Sequence, residues 1–333
     1  MSDAAVGLSF RAEFDPVQID RLATAAARYR FPALSVWDDL GDPPPGPLLA
    51  ALGSRDKAAR LGFACLAVPK YASWDGVTGL VAHLSAIREG PLFIGLSPGA
   101  WMPQVGLKPA SVRQLAEATQ VLRYLLERRT DGFEGACYTV ARGFRLNYEP
   151  ACSPSLMIGG WGERILRLAG EIADEVKIGG AAAPELPAIA RPRLAPGALA
   201  CGREPGKIGI VLGAATIVDE DRNAALAEAR RRAAAYIPVV GALDPVAARD
   251  YPDAIAAVAE ASDRGDLDAA AGAIPDGLLK RFAFAGTPDD VIRQVEAALS
   301  GGASRVDFGS PHGLDPVAGI DLIGTKVLPY FRT

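Results

Sequence analysis

The chain has 333 residues, half of them hydrophobic and 22% charged, with a formal net charge of −4. That composition excludes intrinsic disorder and gives enough length for one large α/β domain with a substantial core. Basic and acidic residues are interspersed, so no basic stripe points to nucleic acid or an anionic membrane.

The opening residues, MSDAAVGLSFRAEF, lack a charged segment followed by an apolar one, and no apolar run reaches spanning length. Strands are read near Val6–Phe10, Ala33–Trp37, Leu61–Leu66 and Leu92–Leu96. After the fourth strand, Val112, Leu115, Leu122, Leu125 and Leu126 recur at helical spacing. The segment 129–154 reads as an insertion, with Tyr138–Val140 and Phe144–Leu146 as strand candidates. From Ser155 to Gly180 the pattern is a strand (Leu156–Gly159), a glycine turn, a helix carrying Ile165, Leu168, Ala169 and Ile172, and a strand at Glu175–Ile178. Another strand is expected at Ile208–Ile217, and an Ala/Asp-rich helical insertion over 237–284. Thr287, Pro288, Asp289 and Asp290 then form a helix start, with an N-cap, proline at the first helical position and acids in the first turn. That helix offers Val291, Ile292, Val295 and Leu299 to the core. A last strand follows at Arg305–Phe308. Eight strands with intervening helices are the count of a (β/α)₈ TIM barrel, here a single domain over 1–333 with two insertions. A doubly wound sheet would have fewer strands and a clearer break into halves.

Four cysteines (Cys65, Cys137, Cys152, Cys201) without CxxC pairing, and only two histidines, argue against a disulfide framework or a metal site. The expectation is a reduced, cytoplasmic protein that binds no metal. In a barrel the active site lies at the carboxyl ends of the strands. After strand two come Trp37, Asp38 and Asp39: either one carboxylate is held while its neighbour, raised by desolvation, exchanges protons, or the pair is a solvated acidic loop. After strand three comes Ala64-Cys65, with no visible base to make Cys65 a nucleophile. After strand four come Pro98, Gly99 and Trp101, the last a plate for a planar ligand or a packed loop residue. The turn at 159–162 is a phosphate cradle at a helix N-terminus or simply a tight turn. His312 is a proton shuttle or a hydrogen-bonded structural histidine. His83 lies within a helical pattern and is structural or exposed. Hydrolase, zincin and Walker motifs are missing, which fits a protein that leaves the hard chemistry to a large planar cofactor.

Three stretches resemble the luciferase-like flavin and deazaflavin oxidoreductases, above all the methylenetetrahydromethanopterin reductase branch that uses coenzyme F420. They are IGGWGERILRLAGEIADEV, the block from Gly265 to Gly313, and Ser35-Val36-Trp37-Asp38-Asp39. The resemblance implies a (β/α)₈ barrel and an enzyme moving a hydride between coenzyme F420 and a small, possibly pterin-like molecule at the barrel mouth. It puts the cofactor's phosphate tail at Gly160, Trp161, Gly162, Arg164 and Ile165, and its ring against a cis bulge at Ala64-Cys65. Pro98 and Gly99 fall beside the cofactor, and Asp38 is structural or hydrogen-bonds to it. Asp39 becomes the acid/base, and Ser9, Trp37, Trp101 and His312 the substrate pocket. The chain departs from the family where Asp39 replaces a histidine, where Ala100 replaces the glutamate of sugar-phosphate dehydrogenases, and where Ser9 replaces an acid, with Glu13 nearby but displaced. An FMN-dependent monooxygenase and a cofactor-binding protein without catalysis are the alternatives. A homodimer is the expected assembly.

Overall fold

Parallel strands that must bury both faces dictate the architecture. The computed structural model describes residues 5–12 and 16–332. Glu13, the displaced acid, lies outside them. The strands are β1 (Val6–Arg11), β2 (Ala33–Trp37), β3 (Arg60–Ala67), β4 (Leu92–Ser97), β5 (Phe133–Glu134), β6 (Thr139–Val140), β7 (Ser155–Gly159), β8 (Glu175–Gly179), β9 (Gly209–Val218), β10 (Ala283–Gly286) and β11 (Arg305–His312). Eight of them close a parallel barrel in the order β1-β2-β3-β4-β7-β8-β9-β11, with β11 returning to β1. This is the expected TIM barrel, with all eight strands where the sequence put them.

Helices α1 (Pro16–Tyr29), α2 (Gly46–Arg55), α3 (Asp75–Ile87), α4 (Val112–Leu126), α5 (Glu163–Ile172), α6 (Leu186–Ala200) and α7 (Arg222–Val240) surround the barrel, joined later by α12 (Pro288–Ser300) and α13 (Pro316–Leu322). Outward strand residues such as Leu8, Val36, Ile94, Ile158, Ile178 and Leu212 pack under these helices in one main core. The start of α12 is a full capping box: Thr287 Oγ1 accepts from the Asp290 amide and the Asp290 carboxylate accepts from the Thr287 amide. Val291 and Val295 are buried there, whereas Ile292 and Leu299 are only partly so. Among the described residues no helix is long and apolar enough to cross a membrane.

Three local expectations differ from the structure. Between α4 and β7 the hairpin pairs Phe133–Glu134 with Thr139–Val140; Phe144–Leu146 forms no strand, because the chain turns at Gly143 (φ +86°), whose amide bonds back to Thr130. Ile237–Val240 is the last turn of α7, so the helical segment that follows begins later than expected and holds α8 (Pro245–Asp250), α9 (Pro252–Asp263), α10 (Leu267–Gly272) and α11 (Asp276–Phe282). Its end supplies β10, a four-residue strand too short to show a period, which pairs with β9 at Ala215–Val218 above the stretch that β8 occupies.

The barrel interior holds a small apolar cluster of Ala64, Phe93, Met157 and Val211, distinct from the main core. Beside it runs a chain of charges, of which Arg305, Asp307 and Lys177 are buried and Arg60 and Glu175 partly so. Arg60 meets Glu175 at 2.6 Å, Glu175 meets Arg305 at 2.9 Å, Arg305 meets Asp307 at 2.7 Å, and Asp307 meets Lys177 at 2.9 Å. The Arg60 and Arg305 guanidinium groups also lie over the Phe93 ring, at 4.8 and 5.7 Å. Burial works against ionisation of Asp307, yet Arg305 and Lys177 hold its carboxyl well below the usual carboxylate range. Its contribution to stability is therefore present above about pH 4, the ordinary aspartate value, and is lost as acid protonates the folded-state carboxyl below that. Asp307→Ala leaves two buried cations short of a counter-charge and should cost about 3–5 kcal/mol in urea unfolding at neutral pH. The gap between wild type and variant should stay constant in the neutral range and narrow below about pH 4.

Candidate active site

At the carboxyl ends of the strands, the β3–β4 register shifts between Phe63 and Leu66, where the Ala64–Cys65 peptide is cis. The bulge turns the Cys65 side chain toward the inner face. A Cβ on Gly95 would stand 2.9 Å from its Sγ and one on Gly159 2.8 Å, so a side chain at either position would press on the thiol as it is placed. Burial pushes the Cys65 thiol up to about 12, with Lys177 pulling it down less strongly. The Cys65 carbonyl accepts the Asp38 amide at 3.2 Å, which ties the bulge to the loop after β2.

The two adjacent acids have different surroundings. The Asp38 side chain is almost fully buried; it pairs with Lys70 and accepts from Tyr71 Oη at 3.2 Å. Burial, and then the Asp38 carboxylate, push the Tyr71 phenol well above its usual range. Asp39 keeps 24% of its side chain exposed. Burial raises its carboxyl above the ordinary value, against the Leu40 amide at 2.8 Å and Arg11 at 3.5 Å, while Asp42 and Asp38 add to the rise. Asp38 is thus the held carboxylate, and Asp39, raised by its burial, is the one better placed to carry a proton.

The turn between β7 and α5 is organised by its backbone. The Gly160 amide donates to the Lys177 carbonyl at 3.0 Å, and Trp161 Nε1 donates to the Gly179 carbonyl at 2.9 Å, so both residues fasten β7 to β8. A Cβ on Gly160 would lie 2.6 Å from Ile165 Cγ2. Helix α5 opens at Gly162 without a side-chain cap, leaving its first-turn amides for a ligand or water. Arg164 is exposed beside them. Across the mouth, Gly99 turns with φ +78° and Pro98 accepts the Ala110 amide at 2.8 Å. Trp37 and Trp101 are half-buried, and Trp101 meets Tyr236 of α7 edge-on at 5.6 Å.

Ser9 and His312 present almost no surface. Ser9 Oγ accepts from Ser35 Oγ at 2.8 Å and from Lys177 Nζ at 3.2 Å. His312 is fully buried against Phe10, with Nε2 3.1 Å from the Phe308 carbonyl, and burial lowers it to about 4, so it is neutral at physiological pH. Such burial, with one ring nitrogen against the Phe308 carbonyl, favours the structural reading over the proton shuttle. His83 is exposed on α3. Arg11, Tyr71, Lys177 and Tyr236 were not singled out by the sequence. The signal for Lys177 was there: Glu175 and Lys177, like Arg305 and Asp307, are charges two residues apart in otherwise apolar strands, a period that aims them into the barrel.

Cys137, Cys152 and Cys201 are exposed, whereas Cys65 is partly buried and its thiol raised. A thiol reagent at mildly alkaline pH should therefore titrate three groups quickly in the native protein and the fourth much more slowly, because so little of it is thiolate. Modification of all four at one rate would show that the Cys65 thiol is not held in its neutral form.

Residues 5–305 match the luciferase-like monooxygenase family. A 5,10-methylenetetrahydromethanopterin reductase of Methanopyrus kandleri is 29% identical over 273 residues, 76% of this chain and 77% of its own length. An F420-dependent glucose-6-phosphate dehydrogenase of Nakamurella multipartita is 26% identical over 339 residues, covering 96% of this chain and 94% of the relative. Among solved structures, the coenzyme F420-dependent tetrahydromethanopterin reductase of Methanopyrus kandleri superposes with a TM-score of 0.88 at 22% identity, over 99% of this chain and 100% of the other. With a closed parallel barrel, a cis bulge within its third strand and a family match across most of its length, the chain belongs to the luciferase-like monooxygenase family.

Proposed function

We propose that this protein is an oxidoreductase that binds coenzyme F420 and transfers a hydride between it and a small organic molecule at the barrel mouth. The observation that carries the reading is the pairing of a buried, scaffold-held Asp38 with a partly exposed, raised Asp39 at the mouth of a barrel whose relatives are F420-dependent. The residues fit such a cofactor. A Cβ on Gly162 or on Gly179 would meet nothing within 4 Å, so the surface beside the uncapped start of α5 has room for a bulky phosphate tail. The first-turn amides of α5 and the Arg164 guanidinium would hold that phosphate. Ala64, Cys65, Pro98 and Gly99 would support the ring. When bound, the deazaflavin supplies or accepts the hydride. Asp39 gives the substrate its proton, and Trp37 and Trp101 keep water from the reacting atoms. A pterin-like imine or a carbonyl compound is the substrate class in keeping with the activities of the relatives. The same reading takes the protein as a cytoplasmic homodimer, which sedimentation equilibrium tests by mass.

Titration of the purified protein with coenzyme F420 and, separately, with FMN should give micromolar binding of F420 alone. Binding of neither removes the enzyme reading, and binding of FMN alone moves the protein to the monooxygenase side of its family. Arg164→Ala should weaken F420 binding about tenfold, the equivalent of about 1.4 kcal/mol. Asp39→Asn should abolish oxidation of the reduced cofactor by an accepted substrate while leaving cofactor affinity nearly unchanged; equal turnover would take Asp39 out of the mechanism.

A further inference from the structure

We infer that Arg11 is a positioning residue whose guanidinium, shared unequally between Asp42 and Asp39, sets whether Asp39 holds its proton. Arg11 is the last residue of β1, and its amide donates to Ser310 Oγ at 3.1 Å, fixing the backbone to the end of β11. Its side chain reaches over the loop after β2. Nε and Nη2 grip the two Asp42 oxygens at 2.7 and 3.1 Å, a two-pronged pair, while the same Nε lies 3.5 Å from Asp39 Oδ2. Asp42 is the more buried carboxylate, with 7% of its side chain exposed against 24% for Asp39.

Among the described partners of Arg11 the two acids therefore compete for one cation, and Asp42 has the better geometry. Asp39 retains a longer ion pair and the Leu40 amide, which is too little to offset its burial. The other described charges around it act elsewhere. Lys70 pairs with the Asp38 carboxylate and reaches Asp39 only through its carbonyl oxygen, at 2.8 Å. Asp38 is engaged by Lys70 and Tyr71. The split of Arg11 is thus the adjustable element: released from Asp42 it would close on Asp39 and ionise it, and removed it would leave Asp39 protonated to higher pH.

The inference rests on the acid/base role given to Asp39, and its test is made first on the cofactor-free protein. Carbon-13 NMR of γ-labelled aspartate, with the Asp39 resonance identified by its loss in Asp39→Asn, reads the protonation midpoint of that carboxyl directly. Asp42→Asn should lower the midpoint by about one pH unit, a tenfold change in proton affinity, and Arg11→Gln should raise it by a similar amount. Arg11→Lys, which keeps the charge but not the fork, should fall between wild type and Arg11→Gln. Midpoints that stay put in both Asp42→Asn and Arg11→Gln, or that move in the same direction, overturn the inference. Should Arg11→Gln not fold, Asp42→Asn decides alone. In F420-linked turnover the alkaline fall in rate should then shift as the midpoints do. NMR midpoints that move as expected while the rate profile does not would uphold the role of Arg11 and overturn that of Asp39.

Discussion

The run of charges from Arg60 through Glu175 to the buried Arg305, Asp307 and Lys177 is the interaction on which the rest of the molecule stands. Barrel interiors of this kind are ordinarily filled by layers of branched apolar side chains. Here the apolar filling shrinks to Ala64, Phe93, Met157 and Val211, and the remaining volume goes to ions that cross from β3 to β8 and β11. Lys177 carries the chain upward to Ser9 and Ser35, so the floor beneath the mouth is a set of directional bonds rather than loose packing. Such a network stabilises little over a well-packed apolar core, but each member is costly to remove because its neighbours stay buried and charged. The floor is therefore stiff.

On that floor the glycine-lined inner face becomes intelligible. Cys65 stands between Gly95 and Gly159, and the bulge that carries it also receives the Asp38 amide. Strand, bulge and acidic loop are thus joined by backbone bonds. The acids themselves are divided by their partners: a lysine and a tyrosine for Asp38, a shared arginine for Asp39. Two like residues in sequence acquire unlike chemistry because one is bound on all sides and the other is not. Arg11 and Asp42 stand in the same neighbourhood as the exposed acid of this loop.

The barrel was legible in the sequence because its outward strand faces are apolar and its helices keep their period, as in α12 with its capping box. All eight barrel strands emerged from that pattern. The acidic loop, the bulge and the glycine turn were legible because strand ends mark the active face of such a fold. The ion chain was not read, since Lys177 and Asp307 sit within short runs that look apolar as a whole, and only the closed barrel reveals that they share an interior. Arg11 was missed for a related reason: its partner Asp42 is 31 residues away, and the pairing depends on how the loop after β2 folds back. The hairpin register, the end of α7 and β10 went astray where pairing over two to four residues leaves no period to see.

β9 is the longest strand of the barrel, and its upper part pairs with β10 where β8 has already ended. From Gly213, the last partner of β8, to Val218, the strand continues for five more residues, about 16 Å of extended chain. The upper part of β9 is therefore paired by a strand that follows the helical insertion α8–α11 rather than by its barrel neighbour β8. Tyr236 of α7 touches Trp101 of the segment after β4. The insertion is thus tied by backbone bonds to the carboxyl end of the barrel, where a change in its length or sequence acts on the mouth while the closure of the eight strands is left untouched.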